Sequence, residues 1–305
     1  MVIVFGSINL DLVCRVARFP VPGETISGSS FSTFPGGKGA NQALAAARAG
    51  ASVRLFGAIG NDAFAPAATA LLVSGGVDIQ GVAKVDAPTG CATILVDDLG
   101  ENCIVVVAGA NAMADPRTVP DAALTAQTVL VLQQEVDGAA NTALIARTRR
   151  AGARIILNAA PAHPISRELL RAIDMLVVNE SEASALATVL GWTATPRAFA
   201  SSATNAAPGL AVILTLGAAG ALWVSAAQTL RTTAPEVHVV DTTGAGDAFV
   251  GTLAAAIDAG APPAVALRRA VAAGSLACTA HGAQPALPDR AAVDALLPTV
   301  TAEEE

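Results

Sequence analysis

The 305-residue sequence has no tyrosine, only 3% aromatic residues and just 14% charged side chains. With so few rings, a pocket meant to hold a nucleoside base between aromatic faces would be poorly furnished. Positive charge is scarce as well: 18 Lys and Arg against 25 Asp and Glu give a net charge of −7. No Lys/Arg cluster interrupts that balance, which argues against a nucleic-acid-binding surface. An anionic ligand must therefore be held by local backbone amides and a metal, because the overall field does not attract it. Cysteine is thin too. Cys14, Cys91, Cys103 and Cys278 form no CxxC pair and have no His at ligand spacing, which disfavours zinc and fits free thiols in a reducing cytoplasm. Met1 leads straight into Val2-Ile3-Val4-Phe5 with no basic leader or cleavage site. The longer apolar stretches are broken by Gly or Arg, so none reads as a membrane span.

What is abundant is apolar: 53% of residues are hydrophobic, enough for one large α/β domain with a small appendage. Short β-rich runs at Val2–Phe5, Val53–Phe56, Val129–Leu132, Arg154–Leu157, Met175–Val178 and Ala211–Leu214 read as strands buried on both faces. Between them lie helical stretches such as Ala40–Ala49, Asp62–Ser74, Gly138–Ala151, Ser181–Leu190 and Ala264–Cys278. This rhythm predicts a doubly wound, mainly parallel sheet with helices on both faces, and ligands at the carboxyl ends of its strands. Asn158, Asn179, Thr215 and Asp241 all fall at such ends. Two segments break the rhythm: 11–35, with a strand-like piece at Thr25–Ser32, and 89–108, a hairpin turning at Asp97–Gly100. They are expected to form a discontinuous β-lid over a main domain of 1–10, 36–88 and 109–305, although an ordinary edge hairpin would look the same. Thr301–Glu305 reads as a solvated tail.

Asp241-Thr242-Thr243-Gly244-Ala245-Gly246-Asp247 lies between the β-branched run Val237–Val240 and a helix-like stretch, Ala248–Ala259. A small-residue loop entering a helix aims unpaired N–H groups outward and suits anionic oxygen. An Asp there can take a proton from a hydroxyl held beside the anion, or it can simply cap the helix. The dinucleotide fingerprint fails because Asp247-Ala248-Phe249 follows Gly244-Ala245-Gly246, and a Walker A loop fails because Gly39 follows Gly37-Lys38. Two further motifs offer ligand groups. In Gly6-Ser7-Ile8-Asn9-Leu10-Asp11, Asn9 and Asp11 can face one polyhydroxyl compound. In Gly36-Gly37-Lys38-Gly39-Ala40-Asn41, glycines let a ligand approach the backbone beside Lys38 and Asn41. Each alone could be a turn or a helix entry.

Together, and with Phe19-Pro20-x-Pro22-Gly23-Glu24-Thr25, Ala108-Gly109-Ala110-Asn111, Asn158-x-Ala160-Pro161, Asn179-Glu180-x-Glu182-Ala183, Thr215-Leu216-Gly217-x-x-Gly220 and Gly282-Ala283-Gln284-Pro285, these motifs carry a resemblance. The chain resembles the ribokinase family, the phosphofructokinase B-type carbohydrate kinases, along essentially its whole length. The resemblance implies that Asn9, Asp11, Gly37, Lys38, Asn41 and Glu135 hold sugar hydroxyls. It implies that Asn179 and Glu182 organise Mg²⁺ and phosphate, largely through water, though Glu182 could be only a capping-box acid. Thr215, Gly217 and Gly220, with Gly246 and Val271, would lie against ATP. Gly244, Ala245 and Gly246 would supply the anion hole, and Asp247 would be the catalytic base.

The resemblance also implies a monovalent-cation loop for K⁺ at Asp241, Thr243, Ala277, Ala280, Gly282 and Ala286. Ala286 stands where the family carries a Ser, which weakens the expected potassium activation. Val271 stands where a His commonly borders the adenine, which leaves nucleotide preference open. The implied activity is ATP-dependent phosphorylation of the 5-hydroxyl of D-ribose, with a nucleoside kinase or a kinase of another sugar as the rival. The implied assembly is a cytoplasmic homodimer joined through the lids, without nucleic-acid or membrane partners.

Overall fold

The protein, as a computed structural model, is described over residues 1–305. Its strands are β1 Val2–Phe5, β2 Asn9–Val16, β3 Gly28–Gly36, β4 Val53–Gly60, β5 Asp78–Val85, β6 Gly90–Val96 and β7 Asn102–Val107. They continue as β8 Val129–Leu132, β9 Arg154–Asn158, β10 Met175–Asn179, β11 Ala211–Thr215, β12 Ala221–Val224, β13 Thr229–Thr232 and β14 Ala302–Glu304. Ten strands form one sheet in the order β14-β13-β12-β11-β10-β9-β8-β1-β4-β5. The run from β5 to β11 is parallel, and β12, β13 and β14 add an antiparallel edge.

Alternation along the strands divides the core into two layers. Val2, Val4, Val129 and Val131 face one layer with the helices Lys38–Arg48, Ala245–Asp258 and Pro263–Ala277. Ile3, Phe5, Leu130 and Leu132 face the other with Gly138–Arg150, Glu180–Leu190 and Pro196–Ala206. The chain winds from β1 to β4 and β5 on one side and from β8 onward to the other. The crevice of a doubly wound sheet therefore opens between the ends of β1 and β8.

A second sheet, β3-β2-β6-β7, stands apart from the first. β2 pairs antiparallel with β3 and parallel with β6, placing Asn9 opposite both Gly36 and Gly90. This is the expected lid, with β3 reaching Gly36 rather than ending at Ser32.

Two expectations fail. Val237–Val239 are irregular and Val240 is a bend bonded to the Cys278 carbonyl, outside either sheet, so Asp241 does not sit at a strand end. β-branched residues favour extended backbone, but that segment pairs with no strand. The C-terminal residues are not a free tail: Ala302, Glu303 and Glu304 pair with β13, and Glu305 bonds Arg197 and Arg231. Their acidic composition masked a strand held by basic partners.

Candidate active site

The helix Ala245–Asp258 begins at Gly244, which has a φ of 79° and serves as N-cap with no side-chain cap bond. A Cβ at Gly244 would lie 2.9 Å from the Ala283 backbone, so glycine meets both the conformation and the space. Asp247 is therefore not the cap. Its carboxylate, 7% exposed, accepts Asn41 Nδ2 on Oδ2 and Gln42 Nε2 on Oδ1, both at 2.8 Å. Of the amides expected to bind an anion, Ala245 N–H closes onto the Thr242 carbonyl at 3.2 Å. Those of Gly244 and Gly246 have no intramolecular partner, and neither does that of Asp247. The free donors are thus Gly244, Gly246 and Asp247, with Ala245 lost from the run 244–246 and Asp247 added.

The second glycine turn delivers the opposite wall. Gly37, with a φ of 88°, brings the chain so close to β1 and β2 that a Cβ would lie 2.7 Å from the Asn9 nitrogen. Lys38 then opens the helix Lys38–Arg48. Its backbone N–H donates to Glu135 Oε2 at 3.0 Å, and Ser7 Oγ donates to the same oxygen at 2.6 Å. Asn9 Oδ1 accepts Asn111 Nδ2 at 2.7 Å, while Asn111 is itself held by the Ile8 backbone. Asn41 Oδ1 is buried with no partner in the protein.

These elements concentrate charge. Burial, reinforced by Glu135 and Asp247 and opposed by Lys38, pushes the Asp11 carboxyl up to about 7. The Lys38 ammonium is raised, chiefly by Asp247, with Glu135, Glu182 and Asp11 adding to overcome desolvation. Lys38 thus faces four acids, Asp247, Glu135, Glu182 and Asp11, whose charges hold its proton.

Two cavities form a continuous groove beside this cluster. The inner one, about 250 Å³, is lined by Lys38, Asn179, Glu182, Gly244, Gly246 and Asp247. The outer one, about 620 Å³, is lined by Gly217, Gly220, Phe249, Val271 and the irregular segment that includes Val237 and Val239. Thr215, Thr242 and Gly246 line both. A third cavity, about 530 Å³, has Asn9, Asn111 and Glu135 in its wall.

Asn179 and Glu182 form a capping box: Asn179 Oδ1 accepts the Glu182 N–H, and Glu182 Oε2 accepts the Asn179 N–H, each at 2.8 Å. Burial raises the Glu182 carboxyl, while the Asn179 N–H and Lys38 hold it down. The capping acid and the cavity-lining acid are the same residue. No group of three or more His, Cys, Asp or Glu side chains is placed to hold a metal.

Asp241 does not point a free carboxylate outward. It accepts Thr243 N–H and Oγ1 on one oxygen and Gly282 N–H on the other. This stitches 241–243 to the turn at 282, while the carbonyls of Asp241, Thr243, Ala280 and Gly282 accept no backbone hydrogen bond. Ala277 and Ala286 are buried on either side of that turn.

Sequence reasoning placed Asn158 at a strand end without a specific task and assigned no role to Gln42 or Gln133, although all three are buried: Gln42 bonds Asp247, and Asn158 and Gln133 bond Gln42. The signal was present as two adjacent amides, Asn41-Gln42, entering an alanine-rich helix that is otherwise core. Unpaired amides there would be costly, so each had to have a polar partner.

Over residues 1–290 the chain matches the profile of the pfkB family carbohydrate kinases. It is 35% identical over 306 residues to the ribokinase of Schizosaccharomyces pombe, with 96% of each chain covered. The structure of ribokinase from Thermotoga maritima is similar, with a TM-score of 0.90 and 34% identity over 97% of this chain and 99% of that one. Arabidopsis thaliana ribokinase complexed with ribose and ATP is also similar, with a TM-score of 0.88 and 33% identity over 97% and 98% of the two chains.

Proposed function

Because the chain belongs to the pfkB family of carbohydrate kinases, we propose that it transfers the γ-phosphate of ATP to the 5-hydroxyl of D-ribose. The observation that carries this reading is the position of Asp247. A buried carboxylate lines the inner cavity of a nucleotide-sized groove, beside unpaired helix amides and Lys38. Phosphoryl transfer needs little else, because positioning and charge neutralisation dominate it.

Asp247 takes the proton of the 5-hydroxyl as that oxygen bonds to the γ-phosphorus. The bond from phosphorus to the bridging oxygen breaks, and ADP leaves with its electron pair. The N–H groups of Gly244, Gly246 and Asp247, together with Lys38, balance the charge on the moving phosphoryl group. Asn9, Asp11, Gly37, Asn41 and Glu135 hold the sugar. The unpartnered Asn41 Oδ1 supports this role, since a sugar hydroxyl supplies the donor it lacks. Thr215, Gly217, Gly220 and Val271 line the place of the nucleotide.

The donor set suits Mg²⁺ that arrives with the nucleotide and keeps much of its water, since Glu182 and Asn179 share the inner cavity and no all-protein cage exists. When bound, the ion neutralises phosphate charge. Unengaged carbonyls at Asp241, Thr243, Ala280 and Gly282 support a K⁺ site next to the anion-binding amides. The open lid edges support a homodimer, and a reducing cytoplasm suits four unpaired cysteines. No helix is long and apolar enough to cross a membrane, and the net charge of −7 speaks against nucleic-acid partners.

A panel of pentoses, hexoses and nucleosides, assayed with ATP and Mg²⁺, tests the substrate. D-ribose should give the highest kcat/KM, because a site that bonds every hydroxyl penalises analogues that leave its polar groups unpaired. A nucleoside preferred by about tenfold, the scale of a single lost contact, would reassign the chain to a nucleoside kinase.

A further inference from the structure

Gln42 is fully buried and each polar atom of its amide is used. Its Oε1 accepts Gln133 Nε2 at 2.7 Å, while its Nε2 donates to Asn158 Oδ1 at 2.9 Å and to Asp247 Oδ1 at 2.8 Å. The direction of this amide is over-determined. Asn158 Nδ2 donates to the Val177 carbonyl at 3.2 Å, which turns Asn158 Oδ1 toward Gln42. Gln133 presents its N–H from the other side, in space left open by Gly6, where a Cβ would lie 1.9 Å from Gln133 Oε1. A flipped Gln42 would set its carbonyl against two acceptors, Asn158 Oδ1 and Asp247 Oδ1, and that repulsion selects the orientation; Gln133, whose own Oε1 has no partner, completes the set as donor to Gln42.

The helices that carry Gln42 and Asp247 are equally fixed. They meet at Gly251, where a Cβ would lie 2.4 Å from the Gln42 carbonyl oxygen and 2.6 Å from Ala45 Cβ. Asn41 holds Asp247 Oδ2 and Gln42 holds Oδ1, so the carboxylate plane is pinned at both ends.

We propose that Gln42, locked by Gln133 and Asn158, is a positioning residue that fixes the orientation in which Asp247 meets the acceptor hydroxyl. The inference rests on Asp247 being the base. It adds that the base is aimed by a buried amide relay running from the ends of β8 and β9. Gln42 makes no contact with substrate in this account. Its N–H bond prevents rotation of the Asp247 carboxylate about the Cβ–Cγ bond.

The test compares full-length Gln42→Met, Gln42→Glu and Asp247→Asn. The kcat and ribose KM of each are measured at saturating ATP. Gln42→Met keeps volume but removes every amide bond. Gln42→Glu keeps shape and can still accept from Gln133, but it places an acceptor against Asp247. We expect Gln42→Met to lower kcat roughly 10- to 100-fold, the scale of a misaligned reacting group, with ribose KM much less affected.

Gln42→Glu should lower kcat further than Gln42→Met, because it sets an acceptor against the Asp247 carboxylate rather than merely removing a donor. A residue that only fills space would tolerate Met and would show neither this order nor a fall in kcat at nearly constant ribose KM. If Gln42→Met does not fold, Gln133→Met removes a bond one step farther away and should give a smaller fall in kcat. Wild-type kcat in the folded variants, alongside an inactive Asp247→Asn, would overturn the relay alone. Near-wild-type turnover by Asp247→Asn would overturn the base on which it rests.

Discussion

Asp11 and Asp247 are both acids in the same site, held by different neighbours. Asp247 has two amide donors, whereas Asp11 is raised to about 7 by burial and by neighbouring carboxylates. A raised folded pKa means that the folded protein holds a proton more tightly than the unfolded chain. The contribution to stability is fully present below the unfolded value of 3.8 and is lost as pH rises through about 7. The protein without ligand should therefore lose thermal stability across that window, and Asp11→Asn should flatten the loss. Unfolding temperature against pH measures both; an identical slope in the variant would show that another group is responsible.

The acids and glycines of the candidate site were legible only because several such loops occur together in one order, since each alone reads equally well as a turn or a helix entry. The amides around Asp247 were not, because their partners come from β8, β9 and a different helix.

Among the elements, the parallel strands were easiest to read, since burial on both faces leaves uninterrupted apolar runs. The failures lay where the run was apolar but unpaired, at Val237–Val240, or polar but paired, at β14. The turn 241–243 shows why that matters. Held to Gly282 through Asp241, it can transmit an ion's presence to the amides of Gly244 and Gly246 without touching substrate. Potassium should activate over sodium, and Ala286→Ser should strengthen the effect several-fold by adding an oxygen near the ion. Initial rates in K⁺, Na⁺ and a bulky organic cation, compared between wild type and Ala286→Ser, check this. Equal rates in all three salts would remove the ion from the account.

For the whole molecule, the lid is the least finished part. Phe31 on β3 and Ile104, Val105, Val106 and Val107 on β7 are each at least half exposed, and β3 and β7 are both open edges. Such a surface invites pairing with its copy. Val105→Asp should weaken self-association about tenfold or more, as for a buried interface anchor, and lower kcat/KM at dilute protein. Sedimentation velocity and activity against concentration read both effects. A wild-type monomer with full activity at micromolar concentration would dismiss the dimer. Phe34 of β3 packs against Gly282, and Gly282 is tied to Asp241, so the lid and the turn 241–243 form one connected body beside the groove.

The claim on which all of this converges is that Asp247 removes the proton of the sugar hydroxyl, and Asp247→Asn tests it most directly. The substitution is well accommodated: Asn41 Oδ1 lacks a partner, so the Asn41 amide can flip to accept from the new NH₂, and folding should survive. With ribose and ATP saturating, kcat should fall roughly 10²- to 10⁴-fold, the range for loss of a positioned proton acceptor, while ATP affinity changes little and ribose affinity falls only by the one bond that the turned Asn41 withdraws. A folded Asp247→Asn protein that turns over within about threefold of wild type, far short of that range, would contradict the account.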